Sequence, residues 1–129
     1  MSRTLRAWAV ALSFAAGAFV AVYRGPGWRP LRSHGGDVVA TFFLLLLLGL
    51  LPRLGSAPRR AVATAAVALG LELLQAAGVL GAHNAPATQF LLGSTFDPWD
   101  CVAYAAGIAL GLAFEAAASR PGVARVPAL

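Results

Sequence analysis

The residues of this 129-residue chain that could do chemistry are a few carboxylates set inside apolar runs. It has only five acids, and the one deepest within such a run is Glu72. An ionisable group in a hydrocarbon environment costs a few kcal/mol, so it must face other protein groups and find a partner there. Glu72 therefore indicates either a polar pocket or an interhelical hydrogen bond that holds the fold together.

Glu72 shares a helix face with Gln75, because residues three apart are neighbours on a helix surface. The two side chains could form the floor of a polar pocket. They could equally serve as hydrogen-bonding contacts between helices. The candidate partners of Glu72 are Arg24, Arg32 and Tyr104.

The segment Asp97-Pro98-Trp99-Asp100 predicts the start of a helix. Asp97 suits the N-cap, Pro98 suits the first helical position, and an acid at position 100 favours the helix dipole. A stripe of small residues with a terminal acid follows at four-residue spacing: Ala103, Gly107, Gly111 and Glu115. Such stripes let membrane helices approach closely. We therefore expect this face to point inward, to bring Asp100 with it, and to let Glu115 pair with Arg59 or Arg60.

Asp37 follows Gly35-Gly36 and is expected to be a cap or a first-turn acid, or else part of the pocket. Arg24, Arg29 and Arg32 precede it and could pair with nearby acids or lipid phosphate, or bind an anionic headgroup through bidentate guanidinium contacts. His34 and His83 form no metal-binding pattern with Asp37 or Asp97, so we predict no metal and no cofactor. Cys101 is the single cysteine, which excludes an intrachain disulfide.

The composition identifies the solvent of this chain as the lipid bilayer. Apolar residues make up 59% of the sequence and charged residues 12%, with a mean hydropathy of +0.74. A small soluble domain could not cover its surface with so few charges. The net charge of +5 does not indicate nucleic-acid binding, because the arginines are spread between apolar runs rather than gathered on one face.

We predict an all-α membrane protein, a single domain over residues 1–129 with four transmembrane helices at about 5–23, 37–54, 61–80 and 98–118. The first run, after Arg3 and Arg6, also fits a cleaved signal peptide, although it is long for one. With the N-terminus inside, seven arginines fall on the inner side and three, Arg24, Arg29 and Arg32, on the outer side. This distribution predicts that both termini are cytoplasmic.

Two segments carry a resemblance to a known family. They are L-E-L-L-Q at residues 71–75 and L-L-G-S-T-F-D-P-W-D-C-V-A-Y-A-A-G-I-A-L-G-L at residues 91–112. Together with Gly35-Gly36-Asp37 they resemble the VanZ-like small bacterial membrane proteins, in a branch known as a domain of unknown function. The resemblance implies a multi-pass envelope protein with a link to glycopeptide-antibiotic tolerance. It places the family's polar positions on Asp37, Glu72, Gln75, Asp100 and Tyr104, and it implies no catalytic mechanism.

Three functions stay open at this point. The first is a non-enzymatic membrane protein whose outward-facing acidic pocket, with Arg24 and Arg32 beside it, binds an envelope lipid or an anionic headgroup. The second is a subunit of an ion- or proton-linked transporter, which needs a homo-oligomer because four short helices enclose no path alone. The third is a membrane enzyme that uses Glu72 or Asp100 as a base. It ranks last, because the sequence contains no nucleophile–base pair.

Overall fold

The structure is a computed structural model that describes residues 1–77 and 97–120, without the side chain of Gln75. The described residues form four long helices and no strand. We number them α1 (Arg3–Val22), α2 (Trp28–Leu48), α3 (Ala57–Ala76) and α4 (Pro98–Ala118). A short 3-10 turn, Pro52–Leu54, joins α2 to α3. The predicted all-α class is confirmed for this part of the chain.

The second helix differs most from its predicted bounds of 37–54. It begins at Trp28 and ends at Leu48, so residues 28–36, which precede the predicted start, are helical. Pro30 is tolerated because the first turn of a helix leaves its N–H groups unpaired in any case. A π-helical turn, Leu31–Gly35, lies within this early part, and Asp37 follows it in the first turn of the regular α-helix.

Helix α2 is the centre of the fold, since it contacts each of the other three long helices. Its contact with α4 depends on the predicted small-residue stripe, all four members of which are buried. A Cβ at Gly107 would overlap Thr41 and the carbonyl of Val38, and a Cβ at Gly111 would lie 2.9 Å from Leu45 Cδ2. The stripe therefore allows α2 and α4 to pack at a distance that side chains would prevent.

Helix α3 presents a matching buried stripe to the interior, formed by residues at four-residue spacing: Arg60, Thr64, Ala68 and Glu72. Helices α3 and α4 run antiparallel, so the end of α3 lies beside the start of α4 and the start of α3 lies beside the end of α4. A polar contact forms at each of these two places. Glu72 meets Tyr104 at one end, and Arg60 meets Glu115 at the other. About 18 Å of helix separates Arg60 from Glu72.

Glu115 is the centre of a buried ion-pair cluster, which we call the Glu115 cluster. The Arg6 guanidinium lies 3.0 Å from Glu115 Oε1, and the Arg60 guanidinium contacts Oε2. Arg60 also donates to the carbonyls of Leu54 (3.0 Å) and Gly55 (2.7 Å). The predicted partnership of Glu115 with Arg60 is confirmed. Arg6 is a second partner, and it ties the start of α1 to the end of α4.

Three of the helices are long and apolar enough to cross a membrane: α1, α2 and α4. Helix α3 is as long as α1 but carries Arg59, Arg60 and Glu72. Two of these three charges are buried, with Arg60 4% and Glu72 5% exposed. These features are those of a membrane protein. That four helices span the membrane, and that both termini are cytoplasmic, stay predictions.

Candidate functional site

Five polar side chains meet where α2 begins and α3 approaches its end. We call them the carboxylate cluster: His34, Asp37, Glu72, Asp100 and Tyr104. Helices α2, α3 and α4 contribute to it, and the Glu115 cluster lies at the opposite end of α3 and α4. The cluster therefore brings together three carboxylates that are distant in sequence.

Glu72 is the most buried member, and its two oxygens differ. The phenol of Tyr104 donates a hydrogen bond to Oε1. Oε2 is buried and has no hydrogen-bond partner among the residues that the structure describes. A buried carboxylate oxygen without a partner normally costs about 1–3 kcal/mol. This oxygen is consequently free to accept a bond within the cluster as far as the described residues show.

His34, Asp37 and Asp100 form the more open side. Nδ1 of His34 lies 3.5 Å from Oδ1 of Asp100, and one ligand atom from each of the three residues lies within 4.8 Å of the others. The carboxyl groups of Asp37 and Asp100 are within hydrogen-bonding reach, and Glu72 is an electrostatic neighbour of Asp37. The Asp100 side chain is 16% exposed and that of His34 45% exposed, so a solute can reach this side.

Local sequence explains why these groups converge. His34 and Asp37 are three residues apart and share a face of α2 because the helix continues through Gly35-Gly36. Asp100 and Tyr104 are four apart on α4, beside the buried residue Ala103. Single π turns within α-helices are frequent at functional sites, and the one in α2 contains His34.

An apolar groove between α1 and α2 adjoins the cluster. Its volume is about 400 Å³, and the charged residues of its lining are Arg32 and Asp37. The rest of the lining is mostly small or apolar side chains of α1 and α2, among them Gly17, Val39 and Phe43. Phe14 and Phe43 face each other at 6.1 Å toward the far end. The groove is thus charged at one end and apolar along its length.

The structure brings together four of the seven predicted pocket residues, namely Asp37, Glu72, Asp100 and Tyr104. Arg32 lies beside Asp37 in the groove wall. Arg24 is engaged at the end of α1 instead: it donates to the carbonyls of Ala21 and Tyr23 and stacks on Trp28.

Gln75 lies in α3, but its side chain is outside the described part of the chain, as is all of His83. The predicted N-cap role of Asp97 is confirmed, because its Oδ1 accepts from Trp99 N at 3.0 Å. That these residues bind a ligand stays a prediction.

Sequence reasoning missed the place of His34 in the cluster. Gly35-Gly36 reads as a helix boundary, and a histidine before such a boundary is assigned to a loop. The three-residue spacing between His34 and Asp37 would place both on one helix face, but only if the helix begins before His34. Arg6 was missed for a different reason, because its contact with Glu115 joins the two ends of the sequence.

The chain belongs to a protein family whose model matches residues 27–108 and is described as "Protein of unknown function (DUF2809)". The matched segment begins one residue before α2 and includes the whole carboxylate cluster. Searches of the curated proteins and of the solved structures gave no match. The family match supports a domain of unknown function and leaves the resemblance to VanZ-like proteins a prediction.

Proposed function

We propose that this chain is a multi-pass protein of the bacterial cell membrane that binds a lipid of the envelope. All four helices span the membrane in this proposal, with both termini in the cytoplasm and the carboxylate cluster toward the outer surface. The proposal rests on the groove between α1 and α2, which is apolar along its length and charged at one end. Such a groove matches a molecule with an acyl chain and a polar headgroup.

The acyl chain would lie along α1 and α2. The groove volume of about 400 Å³ falls within the range of about 300–1,000 Å³ that is common for small-molecule sites. Its lining includes Ala18, Ala21 and Ala40, small residues that leave room beside the helix backbones. A chain in this position would also cover Phe14, which is 68% exposed.

The headgroup would lie at Arg32 and Asp37. A guanidinium group binds a phosphate through two parallel hydrogen bonds, and a carboxylate accepts hydrogen bonds from hydroxyl or ammonium groups. The shared position of Arg32 and Asp37 in the groove wall therefore favours a phospholipid-type headgroup with both kinds of group.

Native mass spectrometry of the protein, released from expressing cells in mild detergent, tests this proposal. We expect the native chain to retain one lipid, and Ala40→Trp, which fills the groove, to lower the lipid-bound fraction several-fold. Ala66→Trp is the matched control, because Ala66 is an exposed alanine of α3 outside the groove. Equal lipid retention by the Ala40 and Ala66 variants, or none by the native chain, would contradict the proposal.

A second candidate function is a subunit of an ion- or proton-linked transporter. The observation that favours it is the grouping of Asp37, Glu72 and Asp100, since carboxylates inside membranes often mark ion pathways. This function needs several copies of the chain to enclose a path. Crosslinking in native membranes that yields only monomers would count against it. That result would not bear on lipid binding, which the mass-spectrometric experiment tests separately.

A further inference from the structure

The three groups on the open side of the carboxylate cluster have the chemistry of metal ligands. His34 offers an imidazole nitrogen, and Asp37 and Asp100 each offer a carboxylate oxygen, all within 4.8 Å of one another. In a tetrahedral site with ligand bonds of about 2.0–2.2 Å, neighbouring ligand atoms lie about 3.4 Å apart. The 3.5 Å between His34 Nδ1 and Asp100 Oδ1 already equals that separation.

Two further observations point to a missing ligand, independently of the number of acids. Nδ1 of His34 is buried and has no hydrogen-bond partner among the described residues, and the same is true of Glu72 Oε2. Glu72 itself is 95% buried, since its exposure is 5%, and it is an electrostatic neighbour of Asp37. Buried polar atoms in native proteins almost always have a partner, and a cation bound beside Asp37 and Asp100 would supply one to His34 Nδ1.

The charges of the cluster agree with a cation. Three carboxylates of the cluster meet one imidazole, and even with Arg32 counted beside Asp37 these three carboxylates outnumber the single guanidinium group by two. Like charges held together in a low dielectric repel strongly unless a proton or a cation intervenes. A divalent ion would balance the excess.

We propose that His34, Asp37 and Asp100 form a binding site for one divalent transition-metal ion of the Zn²⁺ type. The imidazole nitrogen favours such an ion over Mg²⁺ and Ca²⁺, which take oxygen ligands. Three protein ligands leave the fourth position to water or to a donor of a solute. The ion links α2 to α4 at the end opposite the Glu115 cluster, and Glu72 adds negative charge behind it. The site does not depend on lipid binding.

Titration calorimetry of the full chain in detergent, freed of metal by a chelator, tests the site with ZnCl₂ in excess Mg²⁺. We expect one Zn²⁺ per chain and a rise in Tm with added Zn²⁺. His34→Gln and Asp100→Asn remove single ligands. Each should weaken binding by more than about tenfold, because even changes outside the ligand set can weaken metal binding by about 10–100-fold.

The matched control is Asp97→Asn, which removes the same charge three residues away. Asn is also a good N-cap, so α4 is preserved and Zn²⁺ binding should equal that of the native chain. Helical circular dichroism checks the fold of every variant. If a variant fails to fold, the native chain decides, because Co²⁺ bound in place of Zn²⁺ must give the intense visible absorption of a four-coordinate site. The proposal is overturned if the native chain gives no heat of Zn²⁺ binding, which is the result expected if the carboxylates share a proton instead of a metal ion. It is also overturned if the folded variants bind Zn²⁺ as tightly as the native chain.

Discussion

Tyr104 donates a hydrogen bond from its phenol to Oε1 of Glu72, joining α4 to α3 across 32 positions of the sequence. The same two helices are joined a second time where Arg60 meets Glu115. The buried stripe of α3 thus has a charged residue at each end, Arg60 and Glu72, and the stripe of α4 ends in Glu115. Because the helices are antiparallel, both contacts form only in one register. The polar groups consequently specify the register of α3 against α4, whereas a purely apolar interface would allow other registers more easily.

The first prediction concerns the Tyr104–Glu72 hydrogen bond. Tyr104→Phe should lower the free energy of unfolding by about 1 kcal/mol, the usual size of an interhelical hydrogen bond in a membrane protein. Unfolding by added SDS in mixed micelles measures this change. Tyr23→Phe is the control, since the Tyr23 hydroxyl donates to the nearby carbonyl of Pro26 at 3.3 Å in an exposed position. Its effect should stay within about 0.5 kcal/mol.

A double-mutant cycle separates this bond from general packing. In a Glu72→Leu background, Tyr104→Phe should cost almost nothing, because the acceptor is already absent. An equal loss of stability in both backgrounds would show that the Tyr104 hydroxyl does not act through Glu72.

The second prediction compares two neighbouring arginines of α3. Arg60→Ala leaves Glu115 with Arg6 alone and removes two bonds to the preceding turn. Breaking a buried ion pair costs about 3–5 kcal/mol, so this variant should unfold at markedly lower SDS. Arg59→Ala removes the same charge from an exposed side chain and should change the unfolding free energy by less than about 0.5 kcal/mol. Equal losses for the two variants would exclude the Glu115 cluster as a source of stability.

The fourth helix could be read from the sequence because all its signals are local. Asp97 and Pro98 mark its start, and the four-residue spacing of Ala103, Gly107 and Gly111 marks its buried face. The structure agrees with both. These signals and Glu72 allowed three members of the carboxylate cluster, Glu72, Asp100 and Tyr104, to be predicted before any contact was known, and Asp37 was predicted separately from the Gly35-Gly36-Asp37 segment.

The start of α2 could not be predicted, because glycine pairs and proline are local signals for a turn. Tertiary packing overrides them here: α2 contacts every other long helix, and the helix continues through Gly35 and Gly36. His34 enters the cluster only as a result of that continuation. The groove between α1 and α2 was equally hidden, since it depends on the separation of two helices and not on any motif.

The third prediction tests the close contact of α4 with α2. Gly107→Ala places a methyl group against Thr41 and against the backbone carbonyl of Val38, and a backbone atom cannot turn aside. Overpacking of this kind costs about 1–3 kcal/mol. Gly70→Ala is the control, because nothing lies within 4 Å of the added methyl group. That change should be neutral or should stabilise α3 by up to about 1 kcal/mol. If Gly107→Ala proved as well tolerated, the small-residue stripe would not set the distance between the helices.

The fourth prediction concerns orientation in the membrane. In a Cys101→Ala background, single cysteines replace Pro26, between α1 and α2, and Ser56, between α2 and α3; both positions are exposed. Seven of ten arginines lie on the side of Ser56 when the N-terminus is inside, so we expect that side to be cytoplasmic. The N-terminal amine of Met1 lies 2.8 Å from Ser119 Oγ, which places both at one end of the helices. A membrane-impermeant maleimide should label Pro26→Cys in intact spheroplasts and Ser56→Cys only after lysis. Labelling in the reverse order would invert the topology, and labelling of both from outside would mean that α2 does not span.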